Sequence, residues 1–480
     1  MENRVVKKNQ ILEIRISDLA FGGVGIAKLP TDKGDFTIFV QNAIPGQLVR
    51  ARVEKSQKNW AEAALLEVIA KSDLEVDIPY QAIPGAPYAT LPIALQHEYK
   101  KKNTLDLLER IGQVHDIHSK FDAFITSPEH WHYRNKMEYS FSMIRYDFDQ
   151  QKDIDDFGLG FKHRGTWWCV ENLDRESGMF DAQLENSLKS IREWCEKSGL
   201  PAWHPPKREG FFRFLVVRKS YSSNQLLINL VTNDPDGTSF DPMAFAQMLL
   251  SLLGDRLAGF MHTINRDIGD RVDPLNGSTQ LIYGSEKIVE SLLGLQFEIS
   301  MTSFFQTNPA CAEKLYAQAI RYAIENPKDK NKSIMDLFCG TGTIAQLLAR
   351  ETSQSVIGVD IVASAIDDAR KNAQRNGVNN VSFFAADVGA FLKEFPQYVG
   401  RIGTIMLDPP RGGIAPKTLK KVMALGAERI VYISCNPSTQ ARDLIALREE
   451  GYELIKFSIA DQFPHTSHVE SIALLEKITQ

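Results

Sequence analysis

The segment Ser333–Asp360, SIMDLFCGTGTIAQLLARETSQSVIGVD, decides the fold class. Its runs SIMDLF and SVIGVD have the length and composition of buried strands, and IAQLLARET between them has apolar residues at helical spacing. A strand, a turn, a helix and a second strand in this order predict a parallel βαβ unit. Gly340, Thr341 and Gly342 lie in the turn, where glycine lets a ligand approach the backbone at the start of the helix.

The same alternation continues to the C-terminus. VSFFAAD, GTIMLDPP and RIVYISC are further strand-like runs, and SAIDDARKNAQRNG and TLKKVMALG are the intervening helical patterns. Such alternation predicts a parallel sheet with helices on both faces. Residues 301–480 are therefore predicted to form a Rossmann-like domain in a multidomain α/β protein.

The rest of the chain divides into two segments. Residues 1–72 contain short strands of period two, such as EIRIS and LVRARVE, which predict a small barrel of the OB type. The run NAIPGQLVRARV resembles TRAM domains, small RNA-binding barrels; a generic barrel is the alternative. Residues 73–300 read as an α+β insert with an antiparallel sheet, and a helix is predicted near residues 95–112.

Bulk composition restricts the function classes. The chain of 480 residues is 43% hydrophobic and 24% charged, and it has neither a secretory signal nor an apolar run long enough to cross a bilayer. A cytoplasmic protein without a membrane partner is expected. The net charge of -5 does not by itself indicate nucleic-acid binding, which would depend on local Lys and Arg clusters. The five cysteines form no CxxC pair, so neither disulfides nor a metal site is predicted.

Acidic residues follow the strands around the glycine turn. Asp336 precedes it, Asp360 ends the next strand about 20 residues on, where a carboxylate can accept both ribose hydroxyls, and Asp387 ends the third strand. The full GxGxxG pattern and a phosphate-loop lysine are absent, which disfavours NAD and ATP. The arrangement resembles the S-adenosylmethionine site of class I methyltransferases. The alternative is that these acids only cap helices.

A second motif, LDPPRGG, follows the fourth strand. Pro409 and Pro410 end the strand rigidly and project Asp408 into the expected ligand crevice. A related Asp/Asn-Pro-Pro motif occurs in methyltransferases that act on nucleobase amino groups, so an adenine N6 methyltransferase is a competing interpretation. Those enzymes usually have an aromatic residue where this chain has Arg411.

Two further motifs supply a thiol and a carboxylate. Cys435 ends the fifth strand, and Glu470 follows His468 and Val469. Taken alone, they are more often a buried thiol and a charge at a strand edge. Together, however, FFQTN, DLFCGTGT, LDPPRGG, YISCNPSTQARDL and FPHTSHVES resemble, in order and spacing, the RNA uracil-5-methyltransferases, the family that makes 5-methyluridine in tRNA and large-subunit rRNA.

The resemblance implies a covalent mechanism. Cys435 would add to C6 of uracil, Asp408 would orient the ring, and Glu470 would remove the C5 proton. Cofactor-binding positions are Gln306, Asp336, Phe338, Gly340, Thr341, Gly342, Asp360, Asp387 and Asp408, with Asp360 standing where many relatives have Glu. Substrate-binding positions are Phe305, Arg411, Arg134 and Lys136, with Phe304 as a further candidate. Arg442 and Asp443 are interpreted as structural. The resemblance also implies that the helix near residues 95–112 packs on the C-terminal domain.

One departure from the family pattern concerns iron. Many ribosomal members hold an iron-sulfur cluster by three cysteines after the TRAM domain and a fourth in the insert. The corresponding segments, IPYQAIPGAPYATLPIALQ and VENLDRE, contain no cysteine, so no cluster is predicted.

The RNA substrate is a choice among related possibilities. The TRAM-like start favours 23S rRNA, since such a domain is commoner in the ribosomal branch of the family. The enzyme is expected to be a monomer. The tRNA T-loop is the alternative substrate, and a catalytically inactive RNA-binding or assembly factor is an alternative of another class. A cytosine-C5 methyltransferase is disfavoured, because its second cysteine in the Asp-Pro motif is missing. The sequence does not indicate which uridine is modified.

Overall fold

An N-terminal β-domain opens the chain. The computed structural model describes residues 5–32, 34–234, 237, 239–327 and 329–478, so residues 1–4, 33, 328, 479 and 480 of the predicted outer domains lie outside the described residues. The domain is a six-stranded sheet in the order β1-β5-β6-β4-β3-β2. Its strands are β1 Ile11–Arg15, β2 Asp18–Ala20, β3 Val24–Thr31, β4 Gly34–Gln41, β5 Leu48–Ser56 and β6 Trp60–Ala70. Ile38, Val40 and Val53 belong to a core that this domain builds by itself.

The middle of the chain is an α+β region around a seven-stranded sheet, in the order β10-β9-β8-β11-β12-β13-β14. Its elements are α1 Ile93–Arg110, α2 Ile117–Lys120, β7 Phe121–Ile125, β8 Lys136–Asp147, β9 Lys152–Lys162, β10 Val170–Asn172, α3 Ala182–Lys197, β11 Phe212–Lys219, β12 Leu226–Thr232, α4 Pro242–Leu253, β13 Leu257–Asn265, β14 Gly277–Gly284, β15 Lys287–Leu292 and β16 Leu295–Ser300. Leu188 and Leu249 bury α3 and α4 in the large core of this region. Phe214, Val216 and Met301 belong to a smaller, separate core.

The C-terminal region is a doubly wound α/β domain. Its elements are α5 Pro309–Ile324, β17 Ser333–Leu337, α6 Thr343–Glu351, β18 Val356–Asp360, α7 Ala363–Arg375, β19 Val381–Ala385, α8 Val388–Glu394, β20 Ile402–Leu407, α9 Pro416–Ala424, β21 Arg429–Ser434, α10 Pro437–Glu449, β22 Tyr452–Ala460 and β23 Glu470–Lys477. The sheet order is β19-β18-β17-β20-β21-β23-β22-β7. The first five strands in this order, β19, β18, β17, β20 and β21, are mutually parallel. Strand β23 is antiparallel to both of its neighbours, β21 and β22. The predicted multidomain α/β architecture is confirmed.

The boundaries between the predicted segments need correction. Strand β7, assigned to the insert, pairs in parallel with β22 at the edge of the C-terminal sheet. Hairpin β15-β16 shares a core with α5 and α6, for example through Phe297 and Ile299. Helix α1 packs against α10. The C-terminal domain therefore recruits parts of residues 73–300, because pairing between distant strands depends on contacts that local periodicity does not report.

The two segments where the resemblance places cluster cysteines are joined by hydrogen bonds. The Gln81 side chain donates to the Asn172 carbonyl (2.6 Å) and accepts from the amides of Asp174 (3.1 Å) and Arg175 (3.2 Å). The Gln81 side chain thus holds the segment that follows the N-terminal domain against the central region. The absence of an iron-sulfur cluster stays a prediction. Over the described ranges, none of the helices combines the length and apolarity needed to span a bilayer.

Candidate active site

The parallel sheet opens a crevice between β17 and β20. From β17 the chain runs outward to β18 and β19 and returns at β20, beside β17, so the loops after these two strands diverge. Ligands of open α/β sheets bind at such a switch point. Asp336 lies in β17 and Asp408 directly follows β20, so both predicted carboxylates flank the crevice.

Asp336 is fully buried, and neither of its carboxylate oxygens has a hydrogen-bond partner within the part of the chain that the structure describes. Burial, followed by the charge of Asp408, raises the pKa of Asp336 well above its usual range. A buried carboxylate without donors is unfavourable, and a ligand that supplies an N–H would satisfy it. Asp336 is therefore suited to bind a cationic or hydrogen-bond-donating group.

The turn after β17 is built from left-handed backbone. Phe338, Gly340 and Gly342 have φ angles of 65°, 52° and 74°. A Cβ on Gly342 would lie 2.5 Å from the Phe383 ring, whereas a Cβ on Gly340 would meet no atom within 4 Å. Gly342 is thus required by packing of the protein itself, and Gly340 borders open space that a ligand can fill. Thr341, between them, is nearly buried.

Asp360, at the end of β18, braces this turn. Its Oδ2 accepts from the Gly340 amide and its Oδ1 from the Val362 amide, both at 2.9 Å. Each oxygen keeps a lone pair that can accept a hydroxyl. Ile361 is 73% exposed beside it and offers an apolar surface next to a diol acceptor, an arrangement suited to a nucleoside. Ile361 was not among the predicted site residues, although an apolar residue directly after an acidic strand end is visible in the sequence.

Asp387 serves as the N-cap of α8. Its Oδ1 accepts from the amides of Gly389 (2.7 Å) and Ala390 (3.2 Å), and Lys421 Nζ lies 3.6 Å away. The backbone donors, followed by Lys421, lower the pKa of Asp387. The contacts of Asp387 are those of the helix cap that was considered as the alternative, and its role in binding the cofactor stays a prediction.

The thiol and the second carboxylate come together through β-sheet pairing. Ser434 is the antiparallel partner of Ser471, so Cys435 and Glu470 occupy the next matched positions, at the mouth of the sheet. Cys435 is partly exposed and Glu470 is buried. The residues were 35 positions apart in sequence, and only the reversed strand β23 makes them neighbours.

Burial and mutual repulsion shape the electrostatics of these groups. Burial, followed by the charges of Glu470 and Asp408, raises the pKa of the Cys435 thiol to about 11. Burial raises the pKa of Asp408 to about 7. Burial and Asp408 also raise the pKa of Glu470 well above its usual range, and Arg411 opposes this shift. Perturbed groups gathered in one crevice indicate a reaction site.

Gln306 lies at the same place, held by residues from distant segments. Its Oε1 accepts from Gln462 Nε2 at 3.4 Å, and its carbonyl accepts from Asn135 Nδ2 at 2.9 Å. Tyr316 of α5, which the sequence analysis missed, is buried nearby. Burial, followed by the charge of Asp408, raises the pKa of Tyr316 well above its usual range. No local signal distinguished this tyrosine from an ordinary core residue.

Helix α1 anchors the segment that leads into Glu470. Lys100 Nζ donates to Asp461 Oδ1 at 2.6 Å and to the Phe463 carbonyl at 3.0 Å, and His97 Nε2 lies 2.9 Å from Asp461 Oδ2. The amide of His465 donates to Gln96 Oε1 at 2.9 Å. Lys100 and Asp461 are both buried. Residues 461–469 are thereby fixed at several points just before the strand that begins with Glu470.

Two more regions reinforce this segment. The Trp131 ring stacks on His465 with centroids 3.7 Å apart, and Tyr133 donates to the Pro464 carbonyl at 2.9 Å. The N-terminal domain also contacts it, because a Cβ on Gly23 would lie only 2.6 Å from Ser467 Cβ. Burial lowers the pKa of His465 to about 4, so this histidine is a neutral core residue.

Lys100→Met is expected to destabilise the protein by roughly 3–5 kcal/mol, because it leaves the buried Asp461 carboxylate without its strongest partner. Urea unfolding at neutral pH measures the difference in the free energy of unfolding. Lys102→Met is the matched control on the same helix, since the ion pairs that Lys102 forms with described residues are solvent-accessible ones with Asp18 and Asp106, each worth at most about 1 kcal/mol. Equal losses in the two variants would contradict the anchoring role of Lys100.

The predicted substrate-facing residues are arranged unequally. Arg411 is exposed beside the crevice, and Arg134 is partly buried with its Nε unpaired among the described residues. Lys136 Nζ pairs with Glu138 at 2.8 Å. Phe305 does not fit its predicted substrate contact, because it is only 6% exposed and packs near Phe297.

Phe304 is the exposed member of the phenylalanine pair, at 69%. Adjacent residues of an extended segment point to opposite sides, and contacts with the core decide which one faces outward. Phe304 therefore replaces Phe305 as the aromatic residue available to a substrate.

Asp443 holds the loop after Pro410. Its Oδ2 accepts from the Ile414 amide (3.0 Å) and the Tyr432 hydroxyl (2.8 Å), and its Oδ1 accepts from Arg442 Nε (2.9 Å). These contacts agree with a structural role for Arg442 and Asp443. Across the described residues, no group of three or more His, Cys, Asp or Glu side chains is arranged to hold a metal ion.

Comparisons with known proteins fit this geometry. A family model described as tRNA (Uracil-5-)-methyltransferase matches residues 279–478, and a TRAM domain model matches residues 5–66. An uncharacterized RNA methyltransferase from Clostridium acetobutylicum is 34% identical over 99% of this chain and 99% of its own length. Another, from Caldanaerobacter subterraneus, is 35% identical over 98% and 99%.

A solved structure is similar over nearly the whole chain. It is that of Pyrococcus abyssi tRNA (uracil-54, C5)-methyltransferase in complex with S-adenosyl-L-homocysteine. The two chains are 26% identical, the TM-score is 0.69, and the match covers 97% of this chain and 100% of the other.

Proposed function

Because the chain belongs to the RNA uracil-5-methyltransferase family and is an S-adenosylmethionine-dependent enzyme, we propose that it methylates C5 of a uridine in 23S rRNA through a covalent adduct with Cys435. The pairing of Ser434 with Ser471 carries the covalent part of this proposal, since it sets Cys435 beside Glu470, and the TRAM domain at residues 5–66 is what favours 23S rRNA. Asp408 faces both from the end of β20. A nucleophile, a base and an acid thus converge on one crevice.

The chemistry requires three steps at carbon: addition to C6, methylation of C5, and removal of the C5 proton with loss of the thiolate. The Cys435 thiolate adds to C6 of uracil, and the C5=C6 electron pair moves toward O4 as an enolate. C5 then forms a bond to the methyl group, which S-adenosylmethionine supplies as an electrophile. Glu470 takes the C5 proton, the C5=C6 bond re-forms, and the thiolate leaves. The products are 5-methyluridine and S-adenosylhomocysteine.

The shifted pKa values suit these roles. Once ionised, a carboxylate with a raised pKa is a stronger base for a C–H proton, and the charge of Arg411 favours the ionised form of Glu470. With a pKa of about 7, Asp408 is partly protonated at neutral pH, and its protonated form can donate a hydrogen bond to the enolate oxygen. The Cys435 thiol, with a pKa of about 11, is protonated in the free enzyme, so its activation belongs to the complex with RNA.

The cofactor is proposed to bind along β17 and β18. Asp360 would accept the ribose hydroxyls, Ile361 would contact the adenine, and the unpaired Asp336 oxygens would accept from the ammonium group. Gly340 borders the open space for the methionine portion. The remaining proposed contacts are Gln306, Phe338, Thr341, Gly342, Asp387 and Asp408.

RNA is proposed to approach from the side of Phe304 and Arg411. An exposed ring can stack on a base, and Arg411, Arg134 and Lys136 can neutralise phosphates. The TRAM domain contacts the segment before Glu470 at Gly23, which brings a second RNA-binding surface close to the site.

A second candidate substrate is tRNA. The similarity to a structure named as a tRNA (uracil-54, C5)-methyltransferase, at 26% identity over 97% of this chain, favours it. An inactive assembly factor is disfavoured, because Cys435, Glu470 and Asp408 are all present and adjacent to the crevice.

Deletion of the gene is expected to remove 5-methyluridine from one or two positions of 23S rRNA. Mass-spectrometric mapping of rRNA and tRNA from the deletion strain measures this loss. The wild-type gene should restore the modification, and a gene encoding Cys435→Ala should not. Loss confined to position 54 of tRNA would replace the first candidate with the second, and unchanged 5-methyluridine in both RNAs would contradict the proposed function.

A further inference from the structure

Arg218, near the end of β11, is an unusual residue for a protein interior. It is 2% exposed, and within the described part of the chain its Nε and Nη1 have no hydrogen-bond partner and its guanidinium forms no ion pair. Burial lowers the pKa of Arg218 to about 10, and the charge of Glu138 opposes this shift without forming a direct ion pair with it among the described residues. Its in-register neighbour on β8 is another cation, Lys136, which already pairs with Glu138. Like charges directly opposite each other in a sheet are unfavourable.

The side-chain hydrogen bonds that Arg218 makes with described residues go to the loop of residues 301–307. Its Nη2 donates to the Ser303 carbonyl at 2.7 Å and to the Met301 carbonyl at 3.4 Å. Asn135, from the segment that begins β8, holds the other end of the loop through the carbonyls of Gln306 (2.9 Å) and Thr307 (2.8 Å). The exposed ring of Phe304 lies between these two attachment points.

A hydrophobic side chain would fill the same space without desolvating a charge, and such replacements are often neutral or stabilising. The charge of Arg218 is therefore better explained by the loop it fixes than by stability. Its Nε and Nη1 are closed to solvent, so a phosphate has no direct access to those atoms.

We propose that Arg218 is a positioning residue that holds residues 301–305 so that the Phe304 ring faces the target uridine. This inference rests on the proposed function and adds to it a residue that touches neither RNA nor cofactor. Arg218 acts from the sheet of the central region, so that region sets the geometry of a loop at the crevice of the C-terminal domain.

A double-mutant cycle on the full-length enzyme tests the proposal. Arg218→Met, Phe304→Ala and the double variant are compared with the wild type, using kcat and KM for RNA, KM for S-adenosylmethionine, and the rate of adduct formation with RNA that contains 5-fluorouridine. Arg218→Met should lower kcat/KM for RNA by about 10- to 100-fold, because a small misplacement of a substrate-positioning group has effects of that size. KM for S-adenosylmethionine should stay unchanged.

Coupling is the decisive readout. If Arg218 acts through Phe304, Arg218→Met should add less than about threefold in the Phe304→Ala background. Arg218→Lys should recover part of the loss, since it keeps one donor. The matched control is Arg213→Met on the same strand, because Arg213 is equally buried but holds the carbonyls of Asp267 and Gly269. This control should lower the Tm and leave kcat/KM of the folded enzyme unchanged.

The outcomes separate cleanly. Additive losses in the double variant, or equal effects of Arg218→Met and Arg213→Met on kcat/KM, would overturn the positioning role of Arg218. The proposed function would still stand in that case, provided that the wild-type enzyme forms the covalent adduct with RNA. A wild-type enzyme that forms neither adduct nor 5-methyluridine would overturn the proposed function, and the role of Arg218 with it.

Discussion

Cys435→Ala is expected to lower uridine methylation by at least about 10⁴-fold and to abolish the covalent complex with 5-fluorouridine RNA. Removing a nucleophile from a group of residues that act together eliminates nearly all of their joint effect. Alanine leaves binding of cofactor and RNA intact, because it deletes only the partly exposed sulfur at the end of β21. Gel separation of protein from protein–RNA adduct, with tritium transfer from the labelled cofactor, measures both effects.

The control for this prediction is Cys195→Ala. Cys195 is buried on α3, in the core of the central region, and is remote from the crevice. Its removal should lower stability slightly and leave methylation unchanged. An adduct that persists in Cys435→Ala would show that another group attacks C6.

Glu470→Gln is expected to stop the reaction after methyl transfer, with a fall in turnover of about 10²- to 10⁴-fold, the contribution of a positioned general base. Glutamine has the shape of the carboxyl but does not accept the C5 proton, so the adduct between Cys435 and methylated RNA should accumulate even with ordinary uridine. Intact-mass measurement of the adduct detects the added methyl group. Glu453→Gln, on the neighbouring strand and exposed, is the control.

Stability supplies an independent check of the same variant. Burial raises the pKa of Glu470 in the folded protein, so the folded state binds more protons than the unfolded state above the normal carboxyl range. Ionisation of Glu470 in the unfolded state therefore lowers the free energy of unfolding as pH rises toward the pKa that Glu470 has in the folded protein. Glu470→Gln removes this penalty and should be at least as stable as the wild type at pH 8. Normal turnover together with lower stability would contradict the role of Glu470 as a buried base.

The cofactor half of the site could be predicted from sequence because its residues lie within about one βαβ unit. Asp336, Gly340 and Asp360 each sit at a strand end or turn that the local pattern reveals. Even there, packing decided which glycine is essential to the fold. The Phe383 ring excludes a side chain at Gly342, whereas at Gly340 it is the left-handed φ of 52° that disfavours one, because no described atom lies within 4 Å of its ideal Cβ.

The motifs that contain Cys435 and Glu470 could be recognised in the sequence, but the arrangement of these residues in space could not be predicted from it. Cys435 and Glu470 become neighbours only because β23 runs antiparallel to β21, a reversal inside the sheet between β21 and β22. The anchoring of residues 461–469 by Lys100 was hidden, because Lys100 stands in a run of three lysines that reads as a solvated helix face. The exposure of Phe304 rather than Phe305 was hidden because packing against the core, which the sequence does not show, decides which of two adjacent rings is buried.

The sequence by itself determined the parallel α/β domain, the N-terminal β-domain and the identity of the chemical groups, since periodicity and turn residues act over a few neighbouring positions. The tertiary structure alone decided that β7 closes the C-terminal sheet, that Cys435 faces Glu470, and that Arg218 and Lys100 are buried. These features depend on contacts between residues tens to hundreds of positions apart, and burial and pairing at such distances are properties of the folded chain rather than of any local pattern.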